Sequence, residues 1–270
     1  MKILISTIIL GLMSFYSSTE TCIISKKRTF KTITEASYCV KESGELTRKS
    51  LDRKSFYDND GELIEYWDYV YVEDSLYYEK VKLEKNKQGK LIKKTAYSCE
   101  GNLKSYTNTK FDNYGNIVQY KSYNKNNELT STESNEYDSN GNLLSISLTI
   151  TSSNKTFKIT SKYNSKNQLI EEIDFKPDGS IEDVRTFKYD NMGNEIKSDL
   201  TRSNGEYTKF VSEYDKNNNV ISEYWFDKDG SQKHWNSFSY EYDENNNWVT
   251  RKRYSNNRLD CVWERKIEYN

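Results

Sequence analysis

The chain has 270 residues, of which 30% are charged and 34% hydrophobic, with 23 tyrosines and a mean hydropathy of −0.96. Forty basic residues against 41 acidic ones leave a net charge of −1, which provides no electrostatic footprint for nucleic acid or an acidic membrane. So polar a composition excludes a single large oily core, and its near-neutral charge argues against disorder.

The first eighteen residues, "MKILISTIILGLMSFYSS", carry one lysine, an apolar run and then small polar residues. This is a secretory signal pattern, too short for a membrane span, with cleavage expected near Ser18. No transmembrane span is expected after its removal. A lipoprotein would need Cys22 as the modified residue, and the preceding "TET" is a poor match to that signal. Residues 19–56 form an N-terminal segment with room for first strands.

From residue 57 onward a hexamer returns. "YDNDGE" (57–62) is followed by "FDNYGN" (111–116), "YDSNGN" (137–142), "YDNMGN" (189–194), "YDKNNN" (214–219) and "YDENNN" (242–247). The units beginning at Phe111, Tyr137, Tyr163, Tyr189, Tyr214 and Tyr242 are spaced by 26, 26, 26, 25 and 28 residues. Weaker units lie between them, "FKPDGS" (175–180) among them, with its proline in the second turn slot. Each hexamer reads as a turn. Asp112, Asp138, Asp190, Asp215 and Asp243 begin it and bond their own backbone two residues on. Gly115, Gly141, Gly193, Asn218 and Asn246 take the left-handed conformation.

The segments between turns, such as "IVQYKSY" (117–123) and "WNSFSYEY" (235–242), are rich in β-branched and aromatic residues and read as strands. One repeat is two strands and two turns, about 26 residues. The expected fold is therefore all-β: a long antiparallel meander of hairpin repeats over 57–270, about sixteen strands of about 8 residues. Accumulated twist would curl such a sheet into a spiral.

Four cysteines permit three pairings in an exported chain, and Cys22–Cys39 is the local candidate. Bridging Cys99 and Cys261 would require the array to curl. No metal site is expected, because the cysteines lack CxxC spacing and His234 is the single histidine. "DNDGE" (58–62) opens like a calcium loop, but the required acid is replaced by Tyr69. No nucleophile motif accompanies His234, so no catalytic residue and no cofactor are assigned. Of the five tryptophans, Trp225, Trp235, Trp248 and Trp263 crowd the last 46 residues. They are the candidate binding residues, with capping of an open sheet end as the structural alternative.

The hexamers and the C-terminal "YEYDENNNWVTRKRY" resemble the YD repeats of Rhs and teneurin proteins, and are similar to secreted YD-repeat proteins of Bacteroidota. The resemblance covers about residues 57–270. It implies a β-sheet wound into a shell around a toxic C-terminal domain in the large Rhs members. Here the repeats run to Asn270, so the expectation is a non-enzymatic scaffold, secreted, periplasmic or at the cell surface, with a glycan or protein partner and no nucleic acid. The alternatives are a carbohydrate-active enzyme with an unrecognised carboxylate pair, and an accessory or immunity-type partner of a contact-dependent toxin.

Overall fold

A computed structural model describes residues 30–41, 43–47, 50–72 and 75–270. The signal segment and Cys22 lie outside these residues. Among the described residues there are eighteen strands and no helix. They are β1 (Phe30–Cys39), β2 (Ser50–Tyr57), β3 (Leu63–Val72), β4 (Ser75–Lys85), β5 (Leu91–Tyr97) and β6 (Leu103–Phe111). Next come β7 (Ile117–Asn124), β8 (Leu129–Tyr137), β9 (Leu143–Ile150), β10 (Lys155–Tyr163), β11 (Leu169–Phe175) and β12 (Ile181–Tyr189). The last are β13 (Glu195–Arg202), β14 (Tyr207–Tyr214), β15 (Val220–Phe226), β16 (Gln232–Tyr242), β17 (Trp248–Ser255) and β18 (Arg258–Tyr269).

Every strand pairs antiparallel with the next, and β1 pairs with both β2 and β18. The sheet is thus a closed barrel, which corrects the expected open or spiral meander. Closure comes from residues 30–57, which carry no strong hexamer before Tyr57 and so no strand signal from the repeat. Tertiary pairing of β1 with β18 leaves no free edge, so there is no open end for Trp248 and Trp263 to cap. The expected Cys22–Cys39 pair is also corrected. Cys39 and Cys261 stand opposite each other on β1 and β18 and form a disulfide across the closing seam, 222 residues apart in sequence.

The hexamers form the turns expected of them. In "YDNMGN", the Asp190 N–H donates to Asn194 O (2.9 Å), and the N–H groups of Met192 and Asn194 both donate to Asp190 Oδ1 (2.9 Å each). Gly193 has φ 92° and Asn218 φ 63°, the left-handed conformation that Gly and Asn tolerate best. The left-handed residue completes a three-residue hairpin loop with a bulge. At one end of the barrel eight such turns begin at Asp58, Asn86, Asp112, Asp138, Asn164, Asp190, Asp215 and Asp243. In each, the first side chain accepts the same two backbone N–H groups.

Two residues past each of these turns the register slips by one. At β8–β9, Glu136 opposes Ser145 while Tyr137 opposes Leu143, leaving Leu144 as the extra residue. The equivalent residues are Ile64, Ile92, Val118, Ile170, Ile196, Ile221 and Val249. Such bulges bend the strand and increase twist, which favours closure.

The leading tyrosine has a separate task. Each seam between hairpins stops short at this end, leaving a carbonyl at the start of the next strand. Tyr137 donates its hydroxyl to Ile117 O (2.8 Å), Tyr163 to Leu143 O (3.0 Å), Tyr189 to Leu169 O (2.8 Å) and Tyr214 to Glu195 O (2.8 Å). After the 28-residue step the same bond shifts to Tyr240 and Val220 O (2.9 Å).

Tyr189→Phe should keep the fold and lose about 1 kcal/mol of stability, the usual net worth of a hydrogen bond, in denaturant titrations. An unchanged midpoint would overturn this role for the hydroxyl. Reducing Cys39–Cys261 should lower stability by several kcal/mol, with about 5 kcal/mol as the chain-entropy scale for so long a loop. Melting with and without reductant checks this, and equal curves would show that the seam holds without the covalent link.

Candidate functional site

Residues directly opposed on neighbouring strands share a face, so pairing assigns two faces all round the barrel. One face runs through Glu133–Leu148, Ile159–Asp174–Asp183, Glu172–Arg185–Leu200, Phe210–Trp225–His234, Tyr240–Arg251–Trp263 and Glu35–Arg53–Asp68. Tyr66, Val81, Ala96, Ile146, Leu148, Ile159, Leu200 and Cys261 are buried on it, with Val262, among the described residues, the one buried apolar residue on the other face. Side chains inside a curved sheet converge and those outside spread. The enclosed face is therefore the inner wall.

Eighteen strands about 4.8 Å apart give a perimeter of about 86 Å. At that strand number a barrel holds a channel and not a packed core. In agreement, no strand among the described residues comes close to any strand but its two hydrogen-bonded neighbours. The small apolar cluster of Tyr66, Val81 and Ala96 lies within three consecutive strands.

Both faces are charged. The outer face carries the ion pairs Lys80–Glu65 (3.2 Å) and Lys252–Glu241 (2.9 Å). The inner wall carries Arg53–Asp68, Arg185–Glu172 (3.3 Å) and Arg265–Glu35 (2.9 Å).

The four candidate tryptophans do not converge. Trp225 is on the inner wall against Phe210 (ring centroids 6.0 Å) and His234 (5.0 Å). Trp235 faces outward and stacks on Tyr224 (6.3 Å). The fifth, Trp67, also faces outward, stacked on Tyr78 (5.0 Å). Trp248 and Trp263 do meet, through a cation that sequence reading missed. The Arg251 guanidinium lies 4.2 Å from the Trp263 ring centre and 5.7 Å from that of Trp248. Arg265 sits 3.5 Å from Trp248, and Arg253 5.4 Å from Trp263. Arg265 pairs with Glu35, and Arg253 donates from Nε to Asp260 (2.6 Å). Arg251 has no acidic partner among the described residues, and its Nε is buried without a hydrogen bond. Burial, together with the charges of Arg265 and Arg253, pulls its guanidinium below the ordinary value. Alternation over "WVTRKRY" and "CVWERK" held the signal for this cluster, since Arg251, Arg253, Trp263 and Arg265 all fall on one face.

His234 Nε2 meets both Asn236 Oδ1 (2.9 Å) and Ser255 Oγ (3.4 Å). A nucleophile relay would use the two ring nitrogens separately. The calcium-like turn keeps Asp58 Oδ1 for the N–H groups of Asp60 and Glu62. The inner wall also buries carboxylates that the sequence did not distinguish from turn formers. Glu133 and Glu172 are only 6% and 5% exposed. Burial raises the pKa of both, and of Asp174 and Glu195.

No family model matches the chain, and no curated protein matches it. Among solved structures it is similar to a porin-like protein from Bacteroides uniformis, at 11% identity and a TM-score of 0.46, over 90% of this chain and 98% of that one. It is also similar to part of the Photorhabdus luminescens Tc holotoxin pore, at 12% identity and a TM-score of 0.37. That alignment covers 84% of this chain and 15% of the toxin chain. Neither similarity assigns a function. The chain is a β-repeat protein.

The buried carboxylates set a pH dependence. A carboxyl whose pKa is higher folded than unfolded contributes stability that is present below the unfolded value, near 4.3 for Glu, and lost as pH rises through the folded one. The turn aspartates Asp138 and Asp190 act oppositely. Hydrogen bonds from Asn142 and Asn194 lower their pKa, so their contribution is lost as pH falls through the folded values. Stability should therefore rise as pH falls from 7 toward about 4.5, then drop in stronger acid. Glu133→Gln should melt higher than wild type at pH 7 and show a weaker rise. A melting temperature that falls steadily from pH 7 downward would contradict this.

Proposed function

We propose that this protein is an exported, water-soluble, non-enzymatic hollow barrel that presents its walls to a glycan or protein partner at the cell envelope or outside the cell. The observation that carries this reading is the charge on both faces of a closed sheet. A membrane barrel needs an apolar outer band about 25 Å tall. Lys80, Lys252, Glu65 and Glu241 on one face and Arg53, Asp174, Glu172 and Arg265 on the other supply none. Water wets both surfaces, and aromatic rings stand among the charges on each. The Cys39–Cys261 disulfide supports an oxidising compartment, as the signal pattern does.

A second reading, a carbohydrate-active enzyme, draws on the inner carboxylates. Glu172 and Asp174 alternate on β11, and a buried carboxyl with a raised pKa beside an ionisable partner is what glycosidic acid catalysis uses.

The mature protein incubated with phospholipid vesicles should stay in the supernatant after centrifugation, and its scattering profile should be that of a hollow particle. On a glycan array it should bind a defined subset without releasing reducing sugar. Insertion into vesicles would defeat the soluble reading. Sugar release abolished by Glu172→Gln would establish the enzyme instead.

A further inference from the structure

Four arginines stand together on the inner wall of β17, β18 and β2: Arg53, Arg251, Arg253 and Arg265. Three have an acid each. Asp68 takes Arg53, Asp260 takes Arg253 and Glu35 takes Arg265. Arg251 is the one left over. It is also the one most closely framed, opposite Tyr240 and Trp263 across its two strand pairs and within reach of the Trp248 ring. Aromatic faces hold a guanidinium in place without neutralising it. A cation that is partly desolvated, without an ion pair of its own and pre-positioned attracts an oxyanion. A planar guanidinium matches a carboxylate best, through paired hydrogen bonds.

We propose that Arg251, with Trp248 and Trp263, forms a subsite on the inner wall for the carboxylate of an acidic saccharide. This rests on the reading of the barrel as a binding wall and names its ligand class. The choice of a saccharide over an acidic peptide follows from the topology. An extended peptide gains affinity by adding a strand to a free sheet edge. Here every strand has two partners, and the wall offers no edge. It offers ring faces beside a cation, which suits a sugar ring bearing a carboxylate. The Tyr240 hydroxyl is already given to Val220 O and takes no part.

The test uses the purified full-length mature chain with its disulfide intact. Tryptophan fluorescence and calorimetry follow titration with trigalacturonate, with maltotriose as the neutral counterpart and hexaglutamate as the acidic peptide. Trigalacturonate should bind saturably, and added salt should weaken it. Arg251→Gln should reduce its affinity tenfold or more while melting no lower than wild type. Arg251→Lys, which keeps the charge and loses the fork, should fall between the two; it also serves as the test should the Gln variant fail to fold. No binding of trigalacturonate by wild type, equal binding by the substituted proteins, or hexaglutamate binding as tightly would overturn the proposal. Maltotriose binding that Arg251→Gln leaves untouched would overturn the acidic ligand while keeping the binding wall.

Discussion

One side-chain oxygen governs this structure: the first carbonyl or carboxylate oxygen of the Asp or Asn that opens each turn at one end of the barrel. It accepts the N–H groups two and four residues on, so the loop's own donors are satisfied before any tertiary contact forms. The next constraint is a left-handed residue three positions along, which Gly or Asn meets. With both in place, hairpin register is fixed locally. Eighteen strands can then be laid down with short-range pairing, without a shared core to align them.

The missing core has consequences. In a packed domain, buried apolar contact resists sliding of one strand past another. Here that resistance comes from backbone ladders, the tyrosine hydroxyls that bridge five of the seams, and ion pairs on both faces. Tyr suits the position because its ring covers the strand end while its hydroxyl reaches a carbonyl that no backbone donor serves. Phe111, in the same slot of its hexamer, has no hydroxyl, and its ring instead lies under the Lys90 ammonium (5.4 Å). Lys85 fills the same slot before the Asn86 turn, so the repeat tolerates the lack of a tyrosine hydroxyl at more than one seam, as expected where stability is distributed among neighbours.

A hollow barrel with charged side chains on both walls makes its chemistry on those walls. Enclosure crowds the inner side chains, so Glu133 is buried opposite Leu148, and Arg251 is held between Tyr240 and Trp263. Burial shifts Glu133 upward and Arg251 downward. The wall is also divided by sign. Acids dominate near β8 and β11, while arginines dominate near β17 and β18.

The sequence by itself determined the strand class, the turns and their chemistry, because these depend on backbone angles and hydrogen bonds within six residues. Asp190, Gly193 and Asn218 could be placed correctly for that reason. The aliphatic residue at each bulge, from Ile64 to Val249, was equally periodic and could have been read with them. Closure could not. Whether a twisted sheet spirals or shuts depends on the sum of small twists and bends over all its strands and on a partner for the last one. That partner, β1, lies in a segment without a strong hexamer. The Cys39–Cys261 bond and the meeting of Trp248, Trp263 and Arg251 on one wall follow from the register that closure imposes. Pairing β1 with β18 sets two cysteines 222 residues apart opposite each other. No local rule relates such positions, so only the tertiary structure could decide them.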